Sequence, residues 1–427
     1  MKSILKAIVA QCLALLAKAI IEKYRPLIVM VTGSVGKTST KDAAAAVLAS
    51  RYHLRASEKS YNSEFGVPLT IIGAKNPWEN PIAWLRVFKD ALGLILLPTH
   101  YPKLLVLEVG ADRPGDLARI LRFVKPDAVI VTRLPDVPVH VEAYASPQAV
   151  RDEEFAPAYA LSHGAPLIIS ADDPNAVTMA SRLSASITTF GFSEGSDIRL
   201  EGYSFYEEGS ECGMEAELNV KGVSHTLRVK GALGKSQLYA PAAAIACALA
   251  LDTTVAMALR GTEEYIAPAG RGRVILGKNG SYLIDDSYNA SPAAVEEALS
   301  ALQLLSSNGR RIAVLGDMLE LGRYSAREHE QIGSLAASRV DILIAVGVRS
   351  RATASAARAA GMKEDQVFAY DTSLEAAAVL ETIVQEGDVI LVKGSQSIRT
   401  ERIAERLLRN PEDRSRLVRQ ESEWKAR

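Results

Sequence analysis

Cysteine is scarce in this chain of 427 residues, and so is any imbalance of charge. The three cysteines, Cys12, Cys212 and Cys247, lie far apart with no CxxC spacing. That excludes a disulfide frame and a cysteine zinc site, and reads as buried thiols in a reducing compartment. Lys and Arg number 49 against 50 Asp and Glu, a formal net charge of −1, so the basic excess that a nucleic-acid surface needs is missing. No uncharged run reaches the roughly 20 residues that span a bilayer, and no small-residue cleavage site follows the first apolar segment. Internal repeats and low-complexity tracts are absent as well. What remains is enough length for about two or three domains with sizeable cores.

Residues 28–41, IVMVTGSVGKTSTK, organise the rest. Residues 28–31 are a β-branched run that reads as a buried strand, and Gly33-Ser34-Val35-Gly36-Lys37-Thr38-Ser39 turns the chain into an alanine-rich helix. Glycines let successive N–H groups point at one anion, the helix adds its positive end, and Lys37 adds a mobile cation. Thr38 offers a hydroxyl where a nucleotide-bound Mg²⁺ sits. The glycines stand two residues closer together than in the common Walker A pattern. A strand-to-helix turn rich in glycine can arise without function; Gly-Lys-Thr in that place favours a nucleotide.

Ahead of this loop, residues 3–24 form an apolar helix with Lys6, Lys18 and Lys23 along it and Lys2 just before. Two readings stay open, a helix packed on the core and one lying in a membrane interface; residues 81–97 raise the same question. After the loop, residues 61–68 are polar and feed a helix or strand near Leu69. Residues 104–107 read as a strand ending in Glu108, where a parallel sheet holds a metal beside its phosphate loop. Residues 128–132 and 166–170 repeat the pattern, the first leading to His140 and the second to Asp172-Asp173-Pro174-Asn175. This rhythm predicts an α/β fold, a P-loop parallel-sheet ATPase domain over 27–267 behind the helix of 1–26. Residues 198–229 read as a small antiparallel layer. Pro268-Ala269-Gly270-Arg271-Gly272-Arg273 interrupts both periodicities, and beyond it a second, Rossmann-like α/β domain spans 268–427. The charged tail after Asn410 reads as a helix end or a disordered segment.

The stretches TGSVGKTSTK, YNSEFGVPLT, LEVGADRPGD, HVEAYAS, ADDPN, IDDSYNASP, LGDMLELG and VKGSQSIR together resemble the Mur ligase family. These ATP-dependent ligases add amino acids or a dipeptide to the peptidoglycan stem peptide, and the likeness is greatest to the branch that adds D-alanyl-D-alanine. The resemblance implies ATP and Mg²⁺, an acyl phosphate, and a carbon–nitrogen bond made in the cytoplasm. It implies Lys37 on the β/γ-phosphates within a loop of Gly33, Ser34, Gly36, Thr38 and Ser39, and Thr38 with Glu108 on a first Mg²⁺. His140 falls to a second Mg²⁺, and Arg271 to the γ-phosphate. Asp286 falls to the ribose, Tyr288 and Asn289 to the nucleotide's surroundings, and Lys393 and Ser395, with Asn62, to the acyl and acceptor groups. Each has a plainer reading: His140 as a loop histidine, Glu108 as a cap, Arg271 as an interdomain salt bridge. Asp285 and Asp317 read as turn acids, with Asp317 kept as a further candidate.

Three departures stand beside the matches. The family carries an N-terminal domain for the UDP end of its substrate, and here one helix precedes the phosphate loop. The expectation is a UDP-linked or lipid-linked muramyl peptide, with membrane contact through residues 1–24 at the inner face or a separate subunit in place of that domain. The family's carbamylated lysine, a metal ligand, falls at Glu154, a carboxylate that could serve without CO₂; an offset of one residue makes it Glu153. Gly234-Lys235-Ser236-Gln237-Leu238-Tyr239-Ala240 replaces a histidine- and asparagine-bearing stretch near adenine. Alternatives are a related ligase with another acyl or amino substrate, such as a cyanophycin or folylpolyglutamate type, and a nucleotide-binding scaffold without turnover.

Overall fold

Runs of β-branched and leucine residues, buried on both faces, build a parallel sheet that helices must cover on either side. The computed structural model describes residues 2–58, 60–78, 80–209, 211–421 and 424. Helix α1 (Lys2–Tyr24) enters β1 (Leu27–Thr32), and the chain continues through α2 (Lys37–Ala49), β2 (Leu54–Ala56), α3 (Gly66–Ile72) and α4 (Pro81–Leu96). Next come β3 (Leu104–Glu108), α5 (Asp116–Leu121), β4 (Ala128–Val131), α6 (Pro147–Glu154), α7 (Ala156–Tyr159), β5 (Pro166–Ser170), α8 (Pro174–Ala180) and β6 (Ser186–Gly191). The sheet order is β2-β3-β1-β4-β5-β6, all parallel. Chain order reverses about β1, so the phosphate loop leaves the sheet at its topological switch point, where a crevice opens.

The strands of the small antiparallel layer are antiparallel to one another, and they continue this sheet. β7 (Ile198–Glu208) pairs parallel with β6, and β8 (Glu211–Val220) and β9 (Val223–Lys230) extend it as a meander to nine strands. The alternation of buried and exposed side chains along β8 and β9 reflects one covered face. That face meets α9 (Ser236–Ala250), whose alanines and Cys247 are buried, and α10 (Val255–Glu263) follows.

The second sheet has the order β10-β11-β15-β12-β13-β14. Its strands are β10 (Arg273–Leu276), β11 (Tyr282–Asp286), β12 (Arg311–Gly316), β13 (Ile342–Val346), β14 (Val367–Tyr370) and β15 (Val389–Lys393). The helices are α11 (Pro292–Ala301), α12 (Ser325–Ala336), α13 (Ser350–Ala359), α14 (Ser373–Ile383) and α15 (Glu401–Leu407). Only β10 runs antiparallel. Ser291, Thr372 and Asn80 cap α11, α14 and α4 with side-chain oxygens, and Pro follows Ser291 and Asn80 at the first helical position.

Helix α1 sets Leu13, Ala17 and Ile20 on one face, fully buried against the core beneath α3 and α4. Burying a leucine or isoleucine contributes about 1.5–3 kcal/mol, which holds this helix to the protein. Among the described residues no helix is long and apolar enough to cross a membrane. The cysteines depart from expectation: only Cys247 is buried, Cys212 is half-buried and Cys12 lies on the exposed side of α1.

The tail departs too. Residues 411–416 form a 3₁₀ turn, and Arg419 beyond them is buried, pairing with Glu401 at 2.9 Å and donating to the carbonyls of Ser287 and Tyr288. A buried guanidinium needs those partners, so the tail is pinned; residues 422, 423 and 425–427 lie outside the described residues. Arg419→Ala leaves Glu401 with Arg399 alone and is expected to cost about 3 kcal/mol, read as a lower urea midpoint. Exposed Arg409→Ala, the control, moves it by less than about 0.5 kcal/mol.

Candidate active site

The phosphate loop is shaped by two glycines. Gly33 has φ +116°, and a Cβ there would stand 2.4 Å from the Thr132 hydroxyl; Gly36, at φ +91°, starts α2. The Lys37 ammonium folds back to the carbonyls of Gly33 and Ser34, and Ser39 and Gly36 face a neighbouring cavity.

Glu108 ends β3 beside Val31 of β1, and its side chain is buried. Asn62 donates to its Oε1 at 3.5 Å, while Oε2 has no partner. Burial is the largest influence and raises its pKa; Lys37, Lys41, Arg271 and the Thr38 hydroxyl draw it back. Gly110 is what lets Asn62 come in, since a Cβ there would lie 2.9 Å from the Asn62 amide nitrogen.

Glu154 is equally buried, and its Oε2 accepts a 2.5 Å hydrogen bond from Ser34 of the phosphate loop. Burial raises its pKa, opposed first by Lys37, then by Ser34 and His140. Glu153, one position earlier and about 100° round the helix, turns the other way and accepts from the amides of Gly115 and Leu117. Of the two carboxylates left open by the sequence, Glu154 faces the loop.

From the second sheet, Arg271 points its Nη2 at Thr38 Oγ1, 3.5 Å away, and its guanidinium stacks 4.1 Å over Tyr288. The Tyr288 hydroxyl bonds Ser60 at 2.7 Å, and Ser60 meets Thr38 at 3.2 Å. Asp286 and Lys393 are paired neighbours on β11 and β15, bridged at 2.7 Å, and Lys393 also donates to the Asn289 carbonyl at 3.0 Å. Arg271, Asp286 and Lys393 line a cavity of about 570 Å³ between the sheets, in the size range of a small-molecule site. Its far side is Lys235, whose ammonium lies 4.1 Å from the Phe192 ring, and Tyr239, whose hydroxyl bonds Asp172 at 2.7 Å.

His140 and Ser395 are occupied elsewhere. His140 sits in left-handed backbone (φ 64°), with Nδ1 2.9 Å from Glu320 and Nε2 3.6 Å from Asp112. Burial works against its charged form, but the two carboxylates outweigh it and raise its pKa. The Ser395 hydroxyl accepts from the Leu319 amide, and Asp317 accepts from the amide and hydroxyl of Ser350, a helix-capping role. Asp285 is sealed against Ser287, its pKa pushed up to about 6 by burial.

A buried carboxylate oxygen without a partner, near a hydroxyl at the head of a helix, suits a hard divalent cation. Among the described residues no three His, Cys, Asp or Glu side chains cluster for a metal. Sparse protein ligands are what Mg²⁺ uses when substrate phosphates supply the rest. Sequence reasoning missed Ser60 and its bridge from Thr38 to Tyr288, and Tyr239 on Asp172. Both Tyr239 and Asp172 lie in stretches that stood out, but neither contact leaves a spacing to read.

Residues 31–248 match the Mur ligase middle domain and residues 270–396 the Mur ligase glutamate ligase domain. The UDP-N-acetylmuramoyl-tripeptide–D-alanyl-D-alanine ligase of Bacillus subtilis is 26% identical over 93% of this chain and 79% of its own length. The enzyme of the same name from Synechocystis is 31% identical over 91% and 76%. Among solved structures, the MurF ligase of Thermotoga maritima in complex with ADP superposes with a TM-score of 0.77 at 26% identity, covering 95% of this chain and 84% of that one.

Glu154 supplies a pH test. Its pKa is higher folded than unfolded, so the folded state is penalised for its charge as pH rises above the ordinary carboxylate range, and not below it. Glu154→Gln keeps an acceptor for Ser34 and is expected to raise the melting temperature at pH 8 without nucleotide or Mg²⁺, the gain shrinking towards pH 4.5. Differential scanning calorimetry across that range reads it; a variant less stable at pH 8 would contradict the buried charge.

Proposed function

Because the chain belongs to the Mur ligase family, we propose that it joins the terminal carboxyl of a muramyl peptide to the amine of D-alanyl-D-alanine at the expense of ATP. The observation that carries this reading is buried Glu108, with an unpartnered oxygen, among Lys37, Thr38 and Arg271 beside a nucleotide-sized cavity. In this reading the work is done in the cytoplasm, which the need for ATP supports, with residues 27–267 holding the triphosphate and 268–427 closing on it.

A carboxylate is a poor electrophile. Its oxygen takes the γ-phosphoryl group of ATP, ADP departs, the amine attacks the acyl phosphate, and phosphate leaves with the carbon–nitrogen bond made. Negative charge gathers on the phosphoryl oxygens, so positioning and neutralisation do most of the catalysis. Lys37 lies against the β/γ-phosphates and Arg271 meets the γ-phosphate from across the cleft, its plane fixed by Tyr288. Thr38 and Glu108 would hold one Mg²⁺, and Glu154, its carboxylate oriented by Ser34, would hold a second together with His140, which here is paired with Glu320. Bound there, Mg²⁺ would neutralise charge on the phosphoryl oxygens. Asp286 takes the ribose and Tyr288 and Asn289 flank the nucleotide, while Asn62, Lys393 and Ser395 face the acyl and amino substrates. The acyl carrier is UDP or a lipid.

Orthophosphate is expected only when ATP, D-alanyl-D-alanine and a UDP-linked or lipid-linked muramyl tripeptide are all present. Lys37→Ala and Glu108→Gln each lower kcat by about a thousandfold, as loss of a charge-stabilising group does. Added bicarbonate leaves the wild-type rate unchanged and Glu154→Ala abolishes it. Phosphate release without the peptide substrates would refute the ligase reading, and activation by bicarbonate would refute the role given to Glu154.

A further inference from the structure

The outer faces of α1 and α4 are apolar and ringed by cations, and neither is covered. The two helices run side by side in the same sense. At one end Lys6 lies over Phe65, which meets Trp84; at the other, Lys23 donates to the carbonyls of Leu94, Ile95 and Leu97. Their inner residues, Leu13, Ala17 and Ile20 with Val87 and Ala91, belong to one core cluster, so their outer residues point away from the same core. Those outer residues include Ile82, Leu85 and Leu96, exposed by 78%, 70% and 74%, with Ile8 and Leu15 of α1 beside them.

The charges around them have one sign. Residues 1–25 hold Lys2, Lys6, Lys18, Lys23 and Arg25 against Glu22, net +4, and residues 81–97 hold Arg86 and Lys89 against Asp90, net +1. Their sum is +5 in a chain of −1, so the remainder carries −6. The side chains of residues 2–5, Lys2 among them, lie outside the described ones; Lys6, Lys18, Arg25, Arg86 and Lys89 are exposed.

We propose that this face lies on the surface of an anionic bilayer, the leucines and isoleucines at the level of the acyl boundary and the lysines and arginines at the headgroups. Apolar residues flanked by cations, on helices of which none among the described residues is long and apolar enough to cross a membrane, are the composition of an interfacial surface. A second copy of this chain fits worse, since a two-fold contact would set +5 against +5, and protein interfaces exclude lysine from their centres. Held this way, the protein docks through the sheet face opposite α2 and α9. The loop carrying Asn62 is then near the membrane, because α3 follows that loop directly and packs on α1 and α4.

The proposal is independent of the ligase reading and is tested without nucleotide. The full chain is floated with phosphatidylcholine vesicles with and without phosphatidylglycerol, beside Leu85→Glu/Leu96→Glu and Arg86→Glu/Lys89→Glu. Wild type is expected to rise with the anionic vesicles, about tenfold less with phosphatidylcholine alone or at high salt. Each double variant falls by about tenfold with an unchanged melting temperature. Wild type that stays unbound to anionic vesicles would overturn the proposal, as would apolar variants that still bind. So would light scattering that shows a dimer which Leu85→Glu/Leu96→Glu splits, for the face would then belong to a second copy.

Discussion

Two carboxylates are buried on either side of one phosphate loop, and the site depends on how their charge is balanced. Among the described residues neither Glu108 nor Glu154 is in an ion pair; each is drawn towards its charged form first by Lys37. Burying an ion costs several kcal/mol unless partners offset it, so Lys37, Lys41 and Arg271 stabilise the fold as well as any ligand. Lys41 shows how the balance is built. It is buried under the loop, bonded to the Ser57 carbonyl at 2.8 Å and paired with Asp42 at 2.5 Å, and Ser57 in turn accepts from the Glu108 amide. The loop that carries Ser57 is thereby tied to α2 and β3 together, which puts Ser60 against Thr38 and Asn62 against Glu108.

The same balance reaches across the two sheets. Arg271 contributes to Glu108 from the far side of the cleft, Tyr288 touches Ser60, and Arg133 pairs with Glu297 of α11. His140 is held by Glu320, whose own pKa is lowered by that contact, and Gly322 leaves no room for a Cβ against Glu142. The first sheet alone therefore holds an incomplete site. Arg271 thus adds from the second domain to the charges of Lys37 and Lys41 that draw Glu108 towards its carboxylate form against its burial.

Much of this was legible in the sequence, because the strands that end at the site are short, apolar and bounded by glycine or acid. Residues 28–31, 104–107, 128–132 and 166–170 all prove to be strands of one parallel sheet, and the loop between Gly33 and Thr38 is where glycine spacing put it. The rest depends on distance along the chain. Alternation over residues 198–229 declares strands but not their neighbour, so β7 joining β6 could not be read. A single helical step separates Glu153 from Glu154, and only the position of α5 decides which turns inward. Arg419 looks like any charge in a polar tail until the carbonyls of Ser287 and Tyr288, far earlier in the chain, are set beside it with Glu401.

The loop of residues 57–65 is where the outer helices and the site meet. Gly110 donates its amide to the Asn62 carbonyl, Tyr61 accepts from the Asn76 amide ahead of α4, and Phe65 stands between Lys6 of α1 and Trp84 of α4. Gly66 has no space for a Cβ against Tyr61, so the turn into α3 is packed on its own loop and cannot shift without moving Tyr61. Contiguity of this kind is a route for coupling only if the loop has two arrangements. What packing does fix is a direction: α3 leaves the loop on the side of α1 and α4, while Glu108, on the same face of β3 as Val106, turns towards α2 and its Lys41, the side on which the cavity also lies. β1 and β3 are the partition between two covered faces, and the loop of residues 57–65 crosses their carboxyl ends from one face to the other, its Ser60 against Thr38 of α2 and its Phe65 against Trp84 of α4.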